Sequence, residues 1–409
     1  MSTADDAIEV PELPQTSLSD AFREYVSRLR GGDVGPLPAV LGLVVLIIVF
    51  SALRPETFTN SFNFANLLIQ SAPVIVIAMG LVFVLLIGEI DLSIGFVSGV
   101  AGMIVALLQQ PHPIGPDLPG WLCIAIALAC ATAIGLMQGS VVALILVPSF
   151  VVTLAGLLIW QGVIQKGLPG VVIIEDQTII NVYGYYFSDR DGWIIGIVVS
   201  AVYVALAVGG ALVGRRHGIT IRDPALLALR LVTIPTIILL TVWVCNKDVG
   251  VPFALLLVVV MLLALTFLAK RTTFGRHVYA VGGNAEAARR AGINVARIRI
   301  IAFMISSFMA GLGGIVLASR IRSVDLNAGG STLLIDAIAA AVIGGTSLFG
   351  GRGEVRNALI GAALITTIAN GMNTKGWPNS IIYIVTGSIL LLAVTFDTVV
   401  RRIQVKAGR

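Results

Sequence analysis

Long apolar runs alternate with short polar segments along the chain after residue 36. A helix needs about 20 apolar residues to cross about 30 Å of hydrocarbon. On that measure twelve segments predict membrane-spanning helices: 37–53, 66–88, 92–108, 121–146, 150–166, 193–213, 227–245, 250–269, 298–319, 332–350, 355–373 and 378–396. The runs are unbroken, whereas a membrane barrel alternates weakly in pieces of about ten residues. The predicted fold class is therefore all-α, a polytopic membrane helix bundle. Segments 92–108 and 150–166 are short, and 332–350 holds Asp336 and several glycines, so the expected count is about 10 to 12 spans.

In the largely apolar run from about Phe64 to Leu108 the only charged residues are Glu89 and Asp91, in "LLIGEIDLSIGFVSG" (85–99). As one helix the run would measure about 67 Å, over twice the hydrocarbon thickness. It must hold two crossings and a reversal near the two acids. Asp91 and Ser93 can cap the helix that follows, by accepting from its free N–H groups. Alternatively the acids serve a relay or a gate, since ionisable groups within a membrane persist where they function, or they contact a partner protein. In the twelve-span topology this turn faces the cytoplasm, and the shortness of the next span leaves room for it to dip inward. Asp336, four residues after Thr332, reads as a solvated or helix-start acid, with a pathway role as the alternative.

Charge fixes the orientation. Lys and Arg gather on the cytoplasmic side of membrane proteins. With the N-terminus inside, eighteen basic residues fall in inner segments and seven in outer ones. Both termini are then cytoplasmic: a polar tail over 1–36, with a short surface helix expected over about residues 17–30, and a basic tail over 398–409. The N-terminal tail lacks the apolar core of a cleavable secretory signal.

Composition agrees. Hydrophobic residues make up 57% of the 409 and charged ones 12%, against about 25% charged in soluble proteins; the mean hydropathy is +0.97. The net charge of +5 lies between apolar spans without interleaved aromatics, which matches membrane orientation and not nucleic acid. Cys123, Cys130 and Cys245 sit in apolar runs, with neither a disulfide framework nor metal-ligand spacing. His112, His217 and His277 are isolated, so no metal site and no catalytic cluster is expected. Gly345 to Arg352 has the glycine spacing of a phosphate loop but lacks its Lys-Ser/Thr pair, so this chain is not expected to hydrolyse ATP. Gly95/Gly99, Gly135/Gly139 and Gly311–Gly314 place small residues where helix backbones approach closely.

Residues 270–297 form the longest polar stretch after the N-terminal tail, inside "KRTTFGRHVYAVGGNAEAARRAGINVARIR" (270–299). Asn284 reads as an N-cap, Glu286 as first turn, Arg289 and Arg290 as last turn, and Gly292 as the stop of one short helix. It either rests on anionic headgroups or is a docking knob for a cytoplasmic subunit.

Three stretches, "AMGLVFVLLIGEIDLSIG" (78–95), "TTFGRHVYAVGGNAEAARRAGINVARIRI" (272–300) and "DAIAAAVIGGTSLFGGRGEVRNALIGA" (336–362), resemble the permease subunits of bacterial ATP-binding-cassette importers for monosaccharides, of ribose and xylose type. The resemblance runs in order from about Asn66 to Asp397, within a permease domain at 37–397. The apolar pair 227–245 and 250–269 looks like an added hairpin, a layout closer to the xylose type. The resemblance implies a location in the bacterial inner membrane, a partner ATPase holding ATP and magnesium, a periplasmic sugar-binding protein and a second permease subunit, a homodimer being expected. Asn284 to Gly292 would then be the coupling helix. Gln138, Thr153, Gln161, Asn370 and Asn373 are candidate sugar-pathway groups, though such side chains bridge helices at least as often. The competing expectation is an ion-coupled sugar carrier using Glu89 or Asp91.

Overall fold

The computed structural model describes residues 37–216 and 224–406. The expected tail over 1–36, its short helix, and residues 217–223 and 407–409 lie outside this range. Every predicted span overlaps a helix: α1 (Leu37–Leu53), α2 (Ser61–Leu86), α3 (Ile94–Leu108), α4 (Gly120–Ser140), α5 (Ser149–Gly167), then, after α6 (Gln177–Gly184), α7 (Asp189–Arg216), α8 (Pro224–Asn246) and α9 (Phe253–Arg271). After α10 (Thr273–Gly283) and α11 (Ala285–Arg290) come α12 (Val295–Ile321), α13 (Ser331–Ile343), α14 (Val355–Thr374) and α15 (Asn379–Lys406). Among the described residues seven helices are long and apolar enough to cross a membrane: α2, α4 with the π-turn Val141–Ile145 that extends it, α5, α7, α8, α9 and α12. α1, α3, α13 and α15 contribute shorter apolar stretches.

The bundle is organised around α2 and α12. Every residue of α2 from Ile75 onward is buried. The two helices run antiparallel, as the small-residue contacts require: a Cβ on Gly80 would meet Met309, and one on Gly313 would meet Ile77. α4 joins the other side of α12, where Gly135 lies against Ser307 and Gly139 against Ile300. Missing side chains here let backbones approach, which is how helices associate where lipid removes the hydrophobic driving force between them.

Four features differ from the expectations. The span expected over 332–350 stops at Ile343, and residues 344–354 fold back as a glycine-rich loop. The polar stretch 270–299 contains α10 as well as α11; α10 buries Gly275, Val278 and Val281, three to a face, and Thr272 caps it by accepting from Gly275 N at 3.2 Å. At the opposite end of the bundle Val172–Ile173 pairs antiparallel with Ser323–Val324, the one two-stranded ribbon among the described residues. Finally, α8 packs on α7 and not on α9: Gly196 meets Val242, and Asn246 Nδ2 donates to Asp189 O at 3.0 Å. α9 instead buries Ala254, Val258 and Leu265 in the main core. Hydropathy located these helices but carried no information on their neighbours.

Candidate functional site

α2 ends where Gly88, at φ +76, takes a backbone conformation that costs glycine little. Gly88 N donates to Leu85 O at 2.9 Å and Glu89 N to Val84 O at 3.1 Å, the paired closure that satisfies the last carbonyls of a helix. α3 then runs antiparallel to α2, since Gly314 of α12 lies on Ser98 while Gly102 faces Ala318 further along. The reversal demanded by the length of the apolar run is therefore present.

Its depth differs from a surface turn. Ser306 Oγ donates to Asp91 Oδ2 at 3.1 Å, and Ser306 lies eleven residues into α12, about 16 Å along its axis. The chain leaves α2 at Leu86, turns back into the bundle, and starts α3 inside it, which is why α3 has only 15 residues. Irregular backbone within a bundle is tolerated only where protein or trapped water satisfies it, and the neighbouring polar side chains do so. Ile90 N donates to Ser149 Oγ at 3.2 Å, and Thr153 Oγ1 donates to Ile90 O at 3.3 Å while also lying 2.9 Å from Ser149 O. Asp91 Oδ1 accepts from Ser93 N at 3.0 Å, so Asp91 caps α3. Ser93 is at the capping position but makes no side-chain cap of its own.

Asp91, Ser93, Gln138 and Thr153 are all buried. Ser93 Oγ lies 2.7 Å from Asp91 Oδ1 and 2.9 Å from Gln138 Oε1. A hydroxyl has one proton to give, and Gln138 Nε2 has no partner where it stands. Turning the Gln138 amide over lets Ser93 donate to Asp91 and accept from Gln138 Nε2. Glu89 faces outward from the same turn, with Oε1 2.9 Å from Arg299 Nε, as a charge contact whose N–H is not aligned for a hydrogen bond.

The three stretches singled out in the sequence converge here. Gly351 N donates to Leu86 O at 2.8 Å. A Cβ on Gly282 would stand 1.7 Å from the same carbonyl, so only glycine lets α10 cross at this point. Gly350 and Gly351, at φ +83 and +75, close the loop over the end of α2. The glycines that mimic a phosphate loop are thus explained by close backbone approach. Tyr279 OH donates to Gly353 O at 2.8 Å; burial, reinforced by Glu354, pushes its phenol up, so it serves as a neutral donor. Phe83 stacks on Phe274 with centroids 6.3 Å apart, and Lys270 pairs with Glu354 at 2.5 Å.

α11 projects from this junction. Asn284 Oδ1 accepts from Ala287 N at 2.9 Å. Gly292, at φ +84, and Ile293 close the helix through Gly292 N to Arg289 O and Ile293 N to Ala288 O, both at 3.0 Å. Ala288 is its buried residue; Glu286, Arg289 and Arg290 point away from the bundle, Glu286 lying 3.3 Å from each arginine. Asn294 then caps α12 by accepting from Arg297 N at 2.9 Å.

Of the sequence candidates, Glu89, Asp91, Ser93, Gln138 and Thr153 are brought together. Asn370 instead bridges α14 to the start of α2, donating to Asn63 Oδ1 at 3.0 Å. Gln161 is half-buried, Asn373 is exposed and Asp336 is half-buried; none of the three bonds to the cluster. Sequence reasoning missed Ser149, Arg299 and Ser306. Their only signal was a polar or charged residue inside or at the end of an apolar run. Among the described residues no group of His, Cys, Asp and Glu is arranged to hold a metal.

The family model for the permease component of branched-chain amino acid transport systems matches residues 63–394. The xylose transport system permease of Escherichia coli K12 is 37% identical over 92% of this chain and 95% of its own length. The xylose transport system permease of Haemophilus influenzae is 35% identical over 88% and 95%, and the ribose import permease of Escherichia coli K12 is 30% identical over 88% and 92%. No solved structure matches the chain. The family description mentions amino acids while these relatives are sugar permeases, so the shared scaffold is broader than its cargo. The chain belongs to this permease-component family and, within it, to the ATP-binding-cassette sugar permeases of xylose and ribose type.

Proposed function

We propose that the chain is the membrane-spanning subunit of an ATP-driven importer in the bacterial inner membrane, moving a monosaccharide inward. D-xylose or another pentose is the cargo, a soluble binding protein delivers it, and a separate subunit binds and hydrolyses ATP with magnesium. Twelve helices cross the bilayer with both termini in the cytoplasm, and two copies enclose the pathway. The observation that carries this reading is the similarity to xylose permeases over nearly the whole chain.

The geometry supports the coupling part of it. α11 is capped at both ends, stands clear of the bundle, and joins two helices that pack into it. In the proposed complex it sits in a groove of the ATPase. Glu89 is paired with Arg299, and Asp91 accepts from Ser93 and Ser306, which supports structural roles for both acids over an ion relay.

Coexpression with the ATPase and binding protein of the proposed importer tests the reading. The ATPase is expected to co-purify with the permease, and Glu286→Ala with Arg290→Ala to abolish that association while membrane insertion persists. An ATPase that binds this double variant as it binds the wild type would contradict the docking role.

A further inference from the structure

We propose that Glu89–Arg299 and Asp91–Ser306 are the two positioning contacts that make the re-entrant turn at residues 87–93 move with α12, so that displacement of α11 reaches the interior of the permease. The proposal deepens the coupling reading above and rests on it.

Arg299 and Ser306 are seven residues apart on α12, two turns that bring both side chains to one face. Their partners, Glu89 and Asp91, are two residues apart on the turn. The turn is therefore held to α12 at two heights, about 10 Å apart along the axis. A single contact would let the turn pivot; two at different heights make it follow both translation and tilt.

The contacts differ in kind. Arg299 and Glu89 are partly exposed, 22% and 14% by side chain, and their charges keep attracting through a range of separations and angles. Ser306 and Asp91 are fully buried, where a hydrogen bond holds a defined geometry and breaking it is costly. The outer contact tolerates sliding and the inner one fixes register.

The route from α11 is short and stiff. α11 is followed by the Gly292–Asn294 connection, closed by the bonds from Gly292 N and Ile293 N, and Arg299 lies in the second turn of α12. From the turn, contacts spread to three other helices: Ile90 to Ser149 and Thr153 of α5, Ser93 to Gln138 of α4, and Asp91 as the cap of α3. α3, α4 and α5 therefore receive movement of α12 through seven residues of irregular backbone.

The test uses the complete importer, permease with ATPase, in vesicles supplied with binding protein and labelled D-xylose, and reads xylose taken up per ATP hydrolysed. Glu89→Arg and Arg299→Glu are each expected to lower this ratio about tenfold, the size of an ordinary coupling between sites. The ATPase should still co-purify. The exchanged pair, Glu89→Arg with Arg299→Glu, should recover most of the loss. Ser306→Ala, which removes the inner contact without touching a charge, should lower the ratio as well.

A purely structural role would reduce the amount of folded permease, and uptake and hydrolysis together, leaving the ratio unchanged. An unchanged ratio in the single variants, or an exchanged pair no better than either single one, overturns the proposal. Should the charge reversals prevent folding, Glu89→Gln and Arg299→Gln take their place: each is expected to lower the ratio, and an unchanged ratio in both overturns the proposal. Failure of the coupling reading itself appears differently, as an ATPase that never co-purifies with the wild-type chain.

Discussion

A Cβ on Gly282 would lie 1.7 Å from Leu86 O and 2.6 Å from Gly351 N, whereas one on the adjacent Gly283 would meet nothing within 4 Å. Gly282→Ala is therefore expected to force apart α10, the end of α2 and the 344–354 loop, at a cost of about 1–3 kcal/mol. It should lower the thermal midpoint of the detergent-solubilised protein, while Gly283→Ala should leave it unchanged; equal midpoints would remove the close approach from the account. Residue by residue, the sequence disclosed what is local. The caps at Asn284 and Gly292 were legible because a cap and its helix lie within a few positions of each other. Asp91 as a cap of α3 was legible for the same reason. Its second partner, Ser306, is 215 positions away, and nothing near either residue announces the other. The phosphate-loop mimicry at Gly345–Arg352 likewise needed the position of α2 to be understood.

Helices form where apolar runs are long enough, so element positions followed from hydropathy, and all twelve expected spans fall on helices. Pairing is a separate property, decided by small residues and shape that a hydropathy profile does not contain. α8 shows this most plainly, since the expected hairpin joined it to the following helix, yet its partner is α7. The Cβ built on Gly196 lies 3.6 Å from Val242 Cβ, inside the range of about 3.5–4.5 Å that a disulfide bridges. In a chain with its three native cysteines replaced, Gly196→Cys with Val242→Cys should cross-link under mild oxidation and resist separation after cleavage between α7 and α8. Absence of the cross-link would contradict the pairing of α8 with α7. α10 escaped the sequence because attention to charge in a polar stretch hid the spacing of Gly275, Val278 and Val281.

At the scale of the whole molecule, two long antiparallel helices, α2 and α12, hold a re-entrant turn between them, and an exposed capped helix sits at the start of α12. That arrangement, in a chain similar over 92% of its length to a xylose transport permease, fits the proposed transport subunit moved from outside itself. Low overall charge and the partnered acids at the turn support the proposal that the driving force comes from a partner. The family was legible because three separated stretches resemble it in the same order, and in the structure these stretches meet at one junction. The cargo was not legible, since neutral groups such as Gln138 and Thr153 turn out to serve the turn's own backbone and side chains. The most direct measurement is labelled D-xylose uptake into vesicles containing either this chain alone or this chain with its ATPase, with binding protein outside the importing face. Uptake that requires both ATPase and ATP, and ignores an imposed proton or sodium gradient, is the predicted result. Gradient-driven uptake by the chain alone would contradict it and identify an ion-coupled carrier.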